Sequence, residues 1–273
     1  MTTNQRILVF IPMYRCEVQI RRVLEKFDDQ VQSLVDTVIV VDNRSPDDTL
    51  AAAIDSASKQ FKKTNFVAWR NSENYGLGGS HKAAFRYAIE NEFDYVVVLH
   101  GDDQADIRDL VPYLEKNAHA ACDCFLGARF MPNSKLQNYS KFREIGNRVY
   151  NLLFSFVALQ KIHDLGSGLN MYRADFLKDY YYKKFPDDLT FNYVMLLASY
   201  YRGQKVAFFP ISWREEDQIS NVKLFRQSFK VLKLLAAFSI FRGFFLRQDM
   251  RRMPIESYVG TIEFSDLGKS HAK

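Results

Sequence analysis

The feature that most constrains the fold is a regular alternation of short apolar segments with segments of helical periodicity. The apolar segments are rich in Val and Ile and run over residues 6–12, 36–42, 65–70 and 94–100. Between them, residues 17–27, 47–61 and 77–91 place apolar side chains at intervals of three and four, as amphipathic helices do. This alternation predicts an α/β fold with a mostly parallel central sheet flanked by helices.

The rest of the chain continues with the same kinds of element at less regular spacing. Residues 121–130, 165–173 and 205–213 are predicted strands, and residues 144–159 and 188–203 are predicted helices. No internal repeat or low-complexity linker separates them. We therefore predict one catalytic-type domain over residues 1–220, followed by a C-terminal amphipathic helical tail over residues 221–273.

The composition indicates the cellular compartment of the protein and the charge of its binding partner. The 273 residues include three cysteines in no zinc or disulfide pattern, and the first residues lead into a predicted strand rather than a signal peptide. These features predict a cytoplasmic protein. The net charge of +5 favours an acidic partner, such as a nucleotide or a phospholipid surface.

Polar residues are concentrated directly after the first four predicted strands. The loops read, in chain order, "IPMYRCE", "VDNRSPDDT", "RNSENYGLGGSHK" and "HGDDQAD". Because ligands of parallel α/β sheets bind at the carboxyl ends of strands, these loops predict one shared ligand crevice. The "GLGG" segment lacks the G-x-G-x-x-G order and follows the third strand, which disfavours a dehydrogenase.

The fourth loop raises a specific question, because the apolar strand before it ends in adjacent carboxylates, Asp102 and Asp103. One interpretation is an ordinary strand end that reaches water. The other is a cluster of oxygen ligands that holds a cation. A nucleic-acid binder is disfavoured, because acidic strand ends repel phosphate unless a metal intervenes.

Seven motifs between residues 7 and 223 resemble, in order, those of the family 2 glycosyltransferases with the GT-A fold, in the branch that contains dolichol-phosphate mannose synthase. They are "IPMYRCE", "VVDNRSPDDT", "NYGLGGSHKAAF", "VVLHGDDQAD", "GARF", "HDLGSGLNMYR" and "VAFFPISWR". The resemblance implies an inverting, metal-dependent hexosyltransferase. Its donor would be a UDP- or GDP-linked sugar, and its acceptor a polyprenyl phosphate or polyprenyl-linked glycan in cell-surface glycan synthesis. The alternatives are a nucleotidyltransferase-like enzyme and a non-catalytic nucleotide-sugar-binding protein.

The resemblance places His100, Asp102 and Gln104 on the metal-binding positions, where Mg²⁺ or Mn²⁺ would bridge the donor phosphates. His100 replaces a carboxylate of the family pattern, which favours Mn²⁺, since Mn²⁺ accepts imidazole better. The alternative for His100 is a strand-end histidine hydrogen-bonded to backbone. Asp103 is expected to be only a solvated neighbour.

The same resemblance implies a nucleotide-sugar site and an acceptor site. Asp42 would bind the base or ribose, and glycines would let the backbone approach the nucleotide. The implied donor residues are Pro12, Tyr14, Glu17, Asp42, Asn74, Gly76, Gly79, Asp102 and Arg129. The implied acceptor residues are Arg143, Arg214, Ser220 and Lys223. Three acids follow Arg214 where the family has G-x-S-K, which argues against simple dolichyl phosphate as the acceptor.

The catalytic base is left open between Asp164, Asp187 and Asp188. An alcohol acceptor needs a carboxylate to take its proton, whereas an ionised phosphate acceptor needs none. For Asp187 and Asp188 the alternative is a helix cap, since they precede a predicted helix.

The predicted tail carries an excess of basic residues. Over residues 221–252 there are eight basic residues and one acid, and on a helix Lys223, Arg226, Lys230 and Lys233 share one face. This pattern predicts a helix that lies on an anionic membrane, which would place the protein peripherally on the inner face of the cell membrane. The alternatives are packing on the domain and a homodimer interface.

Overall fold

The computed structural model describes residues 5–217, 224–252 and 254–268. Its ten strands are β1 (Ile7–Met13), β2 (Thr37–Asp42), β3 (Asn65–Asn71), β4 (Tyr95–Leu99), β5 (Cys124–Ala128), β6 (Lys135–Gln137), β7 (Leu169–Arg173), β8 (Val206–Pro210), β9 (Ser212–Arg214) and β10 (Gly260–Asp266). Its helices are α1 (Glu17–Glu25), α2 (Asp29–Leu34), α3 (Thr49–Gln60), α4 (Gly76–Glu90), α5 (Val111–Glu115), α6 (Lys141–Ala158), α7 (Phe191–Tyr201), α8 (Leu224–Ile240) and α9 (Arg242–Arg247).

Eight of these strands form one sheet in the order β10-β3-β2-β1-β4-β7-β5-β8. The pairs β1–β2, β2–β3, β1–β4 and β5–β8 are parallel, whereas β7 is antiparallel to both its neighbours and β10 is antiparallel to β3. The predicted α/β class with a mostly parallel sheet is therefore confirmed. The short strands β6 and β9 pair separately, beside the cavity described below.

Strand β1 lies at the centre of the parallel part, and every one of its residues is buried. Alternate side chains of a strand point to opposite faces of the sheet. Val9 and Ile11 pack with α1 and α3 in one core cluster, whereas Leu8 and Phe10 pack with α4, α7 and α8 in the other. Burial on both faces explains why the first strands read as continuous apolar runs instead of alternating ones.

The tail differs from its prediction. It contains α8 and α9, but it ends in β10, which pairs along β3 at the edge of the main sheet. The helical prediction for residues 221–273 is thus wrong for this last segment. The boundary predicted at residue 220 lies outside the described residues, and the division into two domains stays a prediction. No described helix has the length and apolarity that a membrane span requires.

Candidate active site

Backbone hydrogen bonds bring the carboxyl ends of the first, second and fourth strands together. The amide of Gly101 donates to the carbonyl of Pro12 (3.1 Å), and the amide of Asn43 donates to the carbonyl of Met13 (2.9 Å). The amide of His100 donates to the carbonyl of Gly168 (2.8 Å). The loops that carry the predicted site residues therefore surround one crevice.

A network of asparagine amides fixes the second and third loops. The Asn43 carbonyl oxygen accepts from the Asn71 amide (3.0 Å) and from the backbone of Tyr75 (2.8 Å), while the Asn43 amide donates to Asn74 (2.8 Å). Asn74 also accepts from the amide of Gly76 (3.1 Å). Asn74 thus shapes the turn after β3, and its role in donor binding stays a prediction. Asn43 and Asn71 were missed, although Asn43 directly follows Asp42 in the second motif.

Asp42 ends β2 and is fully buried. Its Oδ1 accepts from the amide of Ser45 (3.0 Å). Its Oδ2 forms an ion pair with Nε of Arg70 (3.2 Å), yet neither atom makes a hydrogen bond to any of the described residues. A buried carboxylate oxygen without a donor is costly unless a ligand supplies one. Arg70 was not predicted, and only the fold places it beside Asp42.

The other predicted residues of the donor pocket belong to the first loop. The ring of Tyr14 is 40% exposed, and the guanidinium of Arg15 lies 5.3 Å from its centroid. Pro12 lies within β1, and Glu17 begins α1. An exposed aromatic ring beside a cation is suited to stack on a nucleobase near a phosphate.

The surroundings of Gly76 and Gly79 supply a second reason for glycine at both positions, and their predicted role beside a nucleotide stays a prediction. Gly76 has φ +71°, and a Cβ there would lie 2.4 Å from the carbonyl oxygen of Asp187. A Cβ on Gly79 would lie 2.5 Å from the Cβ of Tyr75 and 3.0 Å from the ring of Tyr258. These glycines let α4 pack against the loop before α7 and against the tail. The close approach that they allow here is made by the protein itself.

Asp102 and His100 form the acidic end of the crevice. Burial raises the pKa of Asp102 above its usual value, although the nearby His100 partly opposes this rise. Burial also lowers the pKa of His100. Nε2 of His100 is buried without a hydrogen-bond partner among the described residues. Oδ1 of Asp102 accepts from the amide of Gln104 (3.2 Å). The described residues contain no cluster of three His, Cys, Asp or Glu side chains that could hold a metal.

Asp103 is not the solvated neighbour that the sequence suggested. It is fully buried at φ +62°, and its carboxylate accepts from Nε of Arg22 (2.6 Å), from Nζ of Lys26 (2.6 Å) and from Arg214. Arg214, a predicted acceptor residue, also donates to the carbonyl of Asp103 (2.9 Å). Arg214 is therefore a structural partner of Asp103. The remaining acceptor candidates Ser220 and Lys223 lie outside the described residues.

Arg129 and Asp164 form a buried, bidentate ion pair. Nε and Nη2 of Arg129 each donate to one carboxylate oxygen of Asp164 (both 2.8 Å), and the backbone amide of Arg129 adds a third bond (2.9 Å). The guanidinium also lies 4.8 Å from the ring of Trp213. Because both oxygens of Asp164 are held by Arg129, the geometry disfavours Asp164 as a base and makes it a positioning partner.

A cavity of about 280 Å³ opens beside this pair. Its lining includes Arg129 and His100, Arg143 and Tyr150 of α6, and residues of α7 and α8. Arg143 is held by Glu215 (2.6 and 2.7 Å) and lies 5.0 Å from the ring of Tyr139. Arg129 and Arg143 are thus brought to one cavity, whereas Arg214 is not among the residues that line it.

The two remaining base candidates precede α7 and are both held by cations. Asp187 accepts from Nζ of Lys82 (2.7 Å) and from the hydroxyl of Tyr258 (2.6 Å). Asp188 accepts from the amide (2.9 Å) and hydroxyl (2.6 Å) of Thr190 and pairs with Lys230. Burial raises the pKa of Asp188, but the bonds from Lys230 and Thr190 bring it below its usual value. No signal in the sequence pointed to Tyr258 or Lys82.

The curated relatives of the chain include two bacterial proteins that are named as polyprenyl-linked mannose transferases. It is 28% identical to the undecaprenyl-phosphate mannosyltransferase of Micrococcus luteus over 219 residues, 78% of this chain and 85% of that protein. It is 24% identical to the polyprenol monophosphomannose synthase of Mycolicibacterium smegmatis, over 64% of each chain.

Among solved structures, the chain resembles glucosyl-3-phosphoglycerate synthase of Mycobacterium tuberculosis, with a TM-score of 0.61 and 18% identity over 86% of this chain and 81% of that one. It also resembles the 1–349 segment of TarS from S. aureus, with a TM-score of 0.58 and 18% identity over 90% of this chain and 67% of that one. These structures establish the fold. The family model for glycosyl transferase family 2 matches residues 8–181, more than half of the chain, which therefore belongs to glycosyl transferase family 2.

Proposed function

We propose that the protein transfers a hexose, with inversion at the anomeric carbon, from a UDP- or GDP-linked donor to a polyprenyl phosphate in the synthesis of cell-surface glycans. The observation that carries the proposal is a single cavity whose lining includes Arg129, Arg143 and His100. Two guanidinium groups are suited to bind a phosphate. The relatives from M. luteus and M. smegmatis are named for polyprenyl phosphate acceptors, which supports the same acceptor class here.

The donor would lie over the ends of β1 and β2. Oδ2 of Asp42 is the acceptor that a base N–H or a ribose hydroxyl can satisfy. Tyr14 supplies an exposed ring on which a base can stack, and Arg15 supplies charge for a phosphate. The structures of M. tuberculosis glucosyl-3-phosphoglycerate synthase include complexes with UDP, which supports a nucleotide in the same crevice.

We infer that a divalent ion binds at the acidic end of this crevice. The carboxylate of Asp102 and the unpartnered Nε2 of His100 are the protein groups that would hold it, with Gln104 as the third candidate. One carboxylate and one imidazole favour Mn²⁺ over Mg²⁺, and solved relatives contain Mn²⁺ together with UDP. When bound, such an ion neutralises charge on the departing diphosphate.

The state of the three base candidates favours a phosphate acceptor over an alcohol. Asp164 is held by Arg129, Asp187 by Lys82 and Asp188 by Lys230. A phosphate oxygen is already ionised and can attack the anomeric carbon without losing a proton. The new C–O bond forms as the bond to the nucleoside diphosphate breaks on the opposite face, and the arginines hold the attacking phosphate throughout.

The test is transfer from radiolabelled UDP- and GDP-hexoses to undecaprenyl phosphate in the presence of Mn²⁺. Arg143→Gln should reduce kcat/KM for the acceptor by roughly ten- to a hundredfold, the value of one charge-assisted hydrogen bond. Donor binding, measured by the shift in unfolding temperature, should stay the same, because Arg143 belongs to α6 and not to the donor loops.

The matched control is Arg21→Gln. It removes an arginine of α1 that is paired with Asp55 of α3 and is not among the residues that line the cavity. Its kcat/KM should equal that of the native protein. Transfer to undecaprenol but not to undecaprenyl phosphate would contradict the proposal, and so would an Arg143→Gln variant with undiminished activity.

A further inference from the structure

Helix α6 exposes an apolar face that the proposed chemistry does not explain. Phe142 and Phe156 are 77% and 79% exposed, and the other large apolar side chains of the face recur between them at intervals of three and four residues. We call the following set the α6 face: Phe142, Ile145, Val149, Leu152, Phe156 and, directly after the helix, Leu159. Soluble monomers rarely leave a stripe of this kind uncovered.

The neighbouring tail extends the exposed apolar surface. The hydroxyl of Tyr150 on α6 donates to the carbonyl of Ser228 on α8 (3.2 Å), and Nη2 of Arg242 on α9 donates to the carbonyl of Val157 on α6 (2.7 Å). These bonds hold α6 against the tail along much of its length. The tail also exposes large apolar side chains: Phe229, Leu232, Ile240, Phe241 and Phe244.

Charge distinguishes the occupants that could cover the α6 face. The exposed charged side chains that flank it are basic: Lys141 and Arg148 along one side and Lys161 beyond its end. The nearby acid, Glu144, is paired with Arg148 (2.9 Å). Two copies of the chain packed through α6 would bring these basic residues together, whereas an anionic leaflet complements them.

The cavity opens at the same place. Phe142 belongs to the α6 face and also lines the cavity, together with Arg143 and Gly146 of α6 and with Gln227 and Ser228 of α8. A bilayer that covers α6 would therefore adjoin the part of the cavity that the exposed Phe142 lines. A lipid phosphate could then reach Arg143 without leaving the leaflet.

We propose that the α6 face inserts side-on into the headgroup–acyl boundary of an anionic leaflet and so presents the cavity to lipid-borne substrate. An amphipathic helix of this length binds in that orientation through buried apolar area plus attraction of its basic flank. The identity of that substrate rests on the proposed function, but the docking does not. The docking surface also differs from the basic face expected of the tail, since Lys230 pairs with Asp188 and Lys233 lies over the ring of Phe229.

Vesicle flotation tests the surface. Wild type should float with vesicles of equimolar phosphatidylglycerol and phosphatidylcholine at low salt, and markedly less with phosphatidylcholine alone. The double variant Leu152→Gln/Phe156→Gln should lower the partition coefficient at least tenfold, because both side chains are at least 70% exposed and neither lines the cavity. The matched control Ile262→Gln/Leu267→Gln removes two exposed apolar side chains, one in β10 and one directly after it, and should float like wild type.

A second measurement is independent of the double variant. Phe156→Trp should show a blue shift in fluorescence emission when the anionic vesicles are added, because its indole moves from water into the boundary region. Unshifted emission would overturn the proposal. Flotation of Leu152→Gln/Phe156→Gln at the wild-type level, or failure of wild type to float, would also overturn it.

Different experimental results would contradict the membrane docking and the proposed function. In the double variant, transfer to a short, water-soluble prenyl phosphate should be unchanged, whereas transfer to vesicle-borne acceptor should fall. If no hexose is transferred to any acceptor while flotation behaves as expected, the function is wrong and the docking stands. If sedimentation without lipid shows a wild-type dimer that the double variant converts to monomer, the face is an interface between two copies and the docking is wrong.

Discussion

Lys82 is a buried cation whose charge the fold disfavours. Its side chain is 2% exposed on α4, and burial lowers its pKa to about 8 although Asp187 raises it. Its amine donates to the Phe185 carbonyl (2.5 Å), to Asp187 (2.7 Å) and to the Tyr258 hydroxyl (3.0 Å). These three acceptors hold the loop before α7, and with it both remaining base candidates, against α4.

This pKa predicts the pH dependence of stability. The folded protein releases the Lys82 proton near pH 8, whereas the unfolded chain keeps it up to about 10.5, so the unfolded state binds more protons in between. The free energy of unfolding should therefore gain about 2–3 kcal/mol from this residue as pH rises from 8 to 10. The difference in unfolding free energy between wild type and Lys82→Met, measured with urea at several pH values, isolates this gain from the opposite contribution of the buried thiols, whose pKa values are raised by burial.

Tyr258 does not obscure that window. Burial raises its pKa above the usual value of 10, so it remains protonated in the folded state between pH 8 and 10. If the unfolding free energy of Lys82→Met depends on pH between 8 and 10 as that of the native protein does, the Lys82 amine is not the group responsible for this dependence.

The contrast between Asp102 and Asp103 shows which residues the sequence could place. The motif and the strand end together put Asp102 at the ligand crevice. Nothing local indicated that Asp103 turns the other way at φ +62° and is buried among side chains from α1 and β9. A charge is satisfied by whatever the tertiary fold brings near it, and those partners are up to 111 residues away in sequence.

At the scale of elements, the periodic segments of the first half were predictable because both helical and strand periodicity are local. β10 was not predicted: it is an antiparallel edge strand, and its pairing with β3 joins segments about 190 residues apart. The 205–213 prediction also merged β8 and β9, which belong to different sheets. Local pattern predicts that a segment is extended but does not give its partner.

The junction of α4 with the loop before α7 allows a controlled test of close packing. Gly76 and Gly203 both have φ +71°, but only Gly76 is crowded, since a Cβ there would meet the Asp187 carbonyl at 2.4 Å and one on Gly203 would meet nothing within 4 Å. Gly203→Ala should cost about 1–2 kcal/mol of unfolding free energy from backbone strain alone. Gly76→Ala should cost roughly 2 kcal/mol more, because the main chain of Asp187 has to shift.

Urea unfolding of the two variants gives this difference directly, since the backbone strain is matched. Equal losses at Gly76 and Gly203 would show that α4 and the Asp187 loop are not in close contact. In that case the glycine would again be explained by the approach of a nucleotide.

For the whole molecule, the tail is part of the same core as the family 2 domain. Val231, Leu235 and Phe238 of α8 are buried in the cluster that contains Leu8 and Phe10 of the central strand. Full burial of three such side chains contributes roughly 5–9 kcal/mol, which is comparable with the entire stability of a typical domain. Helix α8 therefore belongs energetically to the same unit as the central strand, although the family model ends at residue 181.

A shortened chain tests this unity. A protein that ends at Asp217 loses α8, α9 and β10, which uncovers the edge of β3 and one side of Asp187. We expect the full chain to unfold in a single calorimetric transition with equal van't Hoff and calorimetric enthalpies. The shortened chain should show no cooperative transition and should bind a hydrophobic dye. A shortened chain that unfolds cooperatively within a few degrees of the full one would make the tail a separate attachment, and the position of Tyr258 against Asp187 would then have no role in stability.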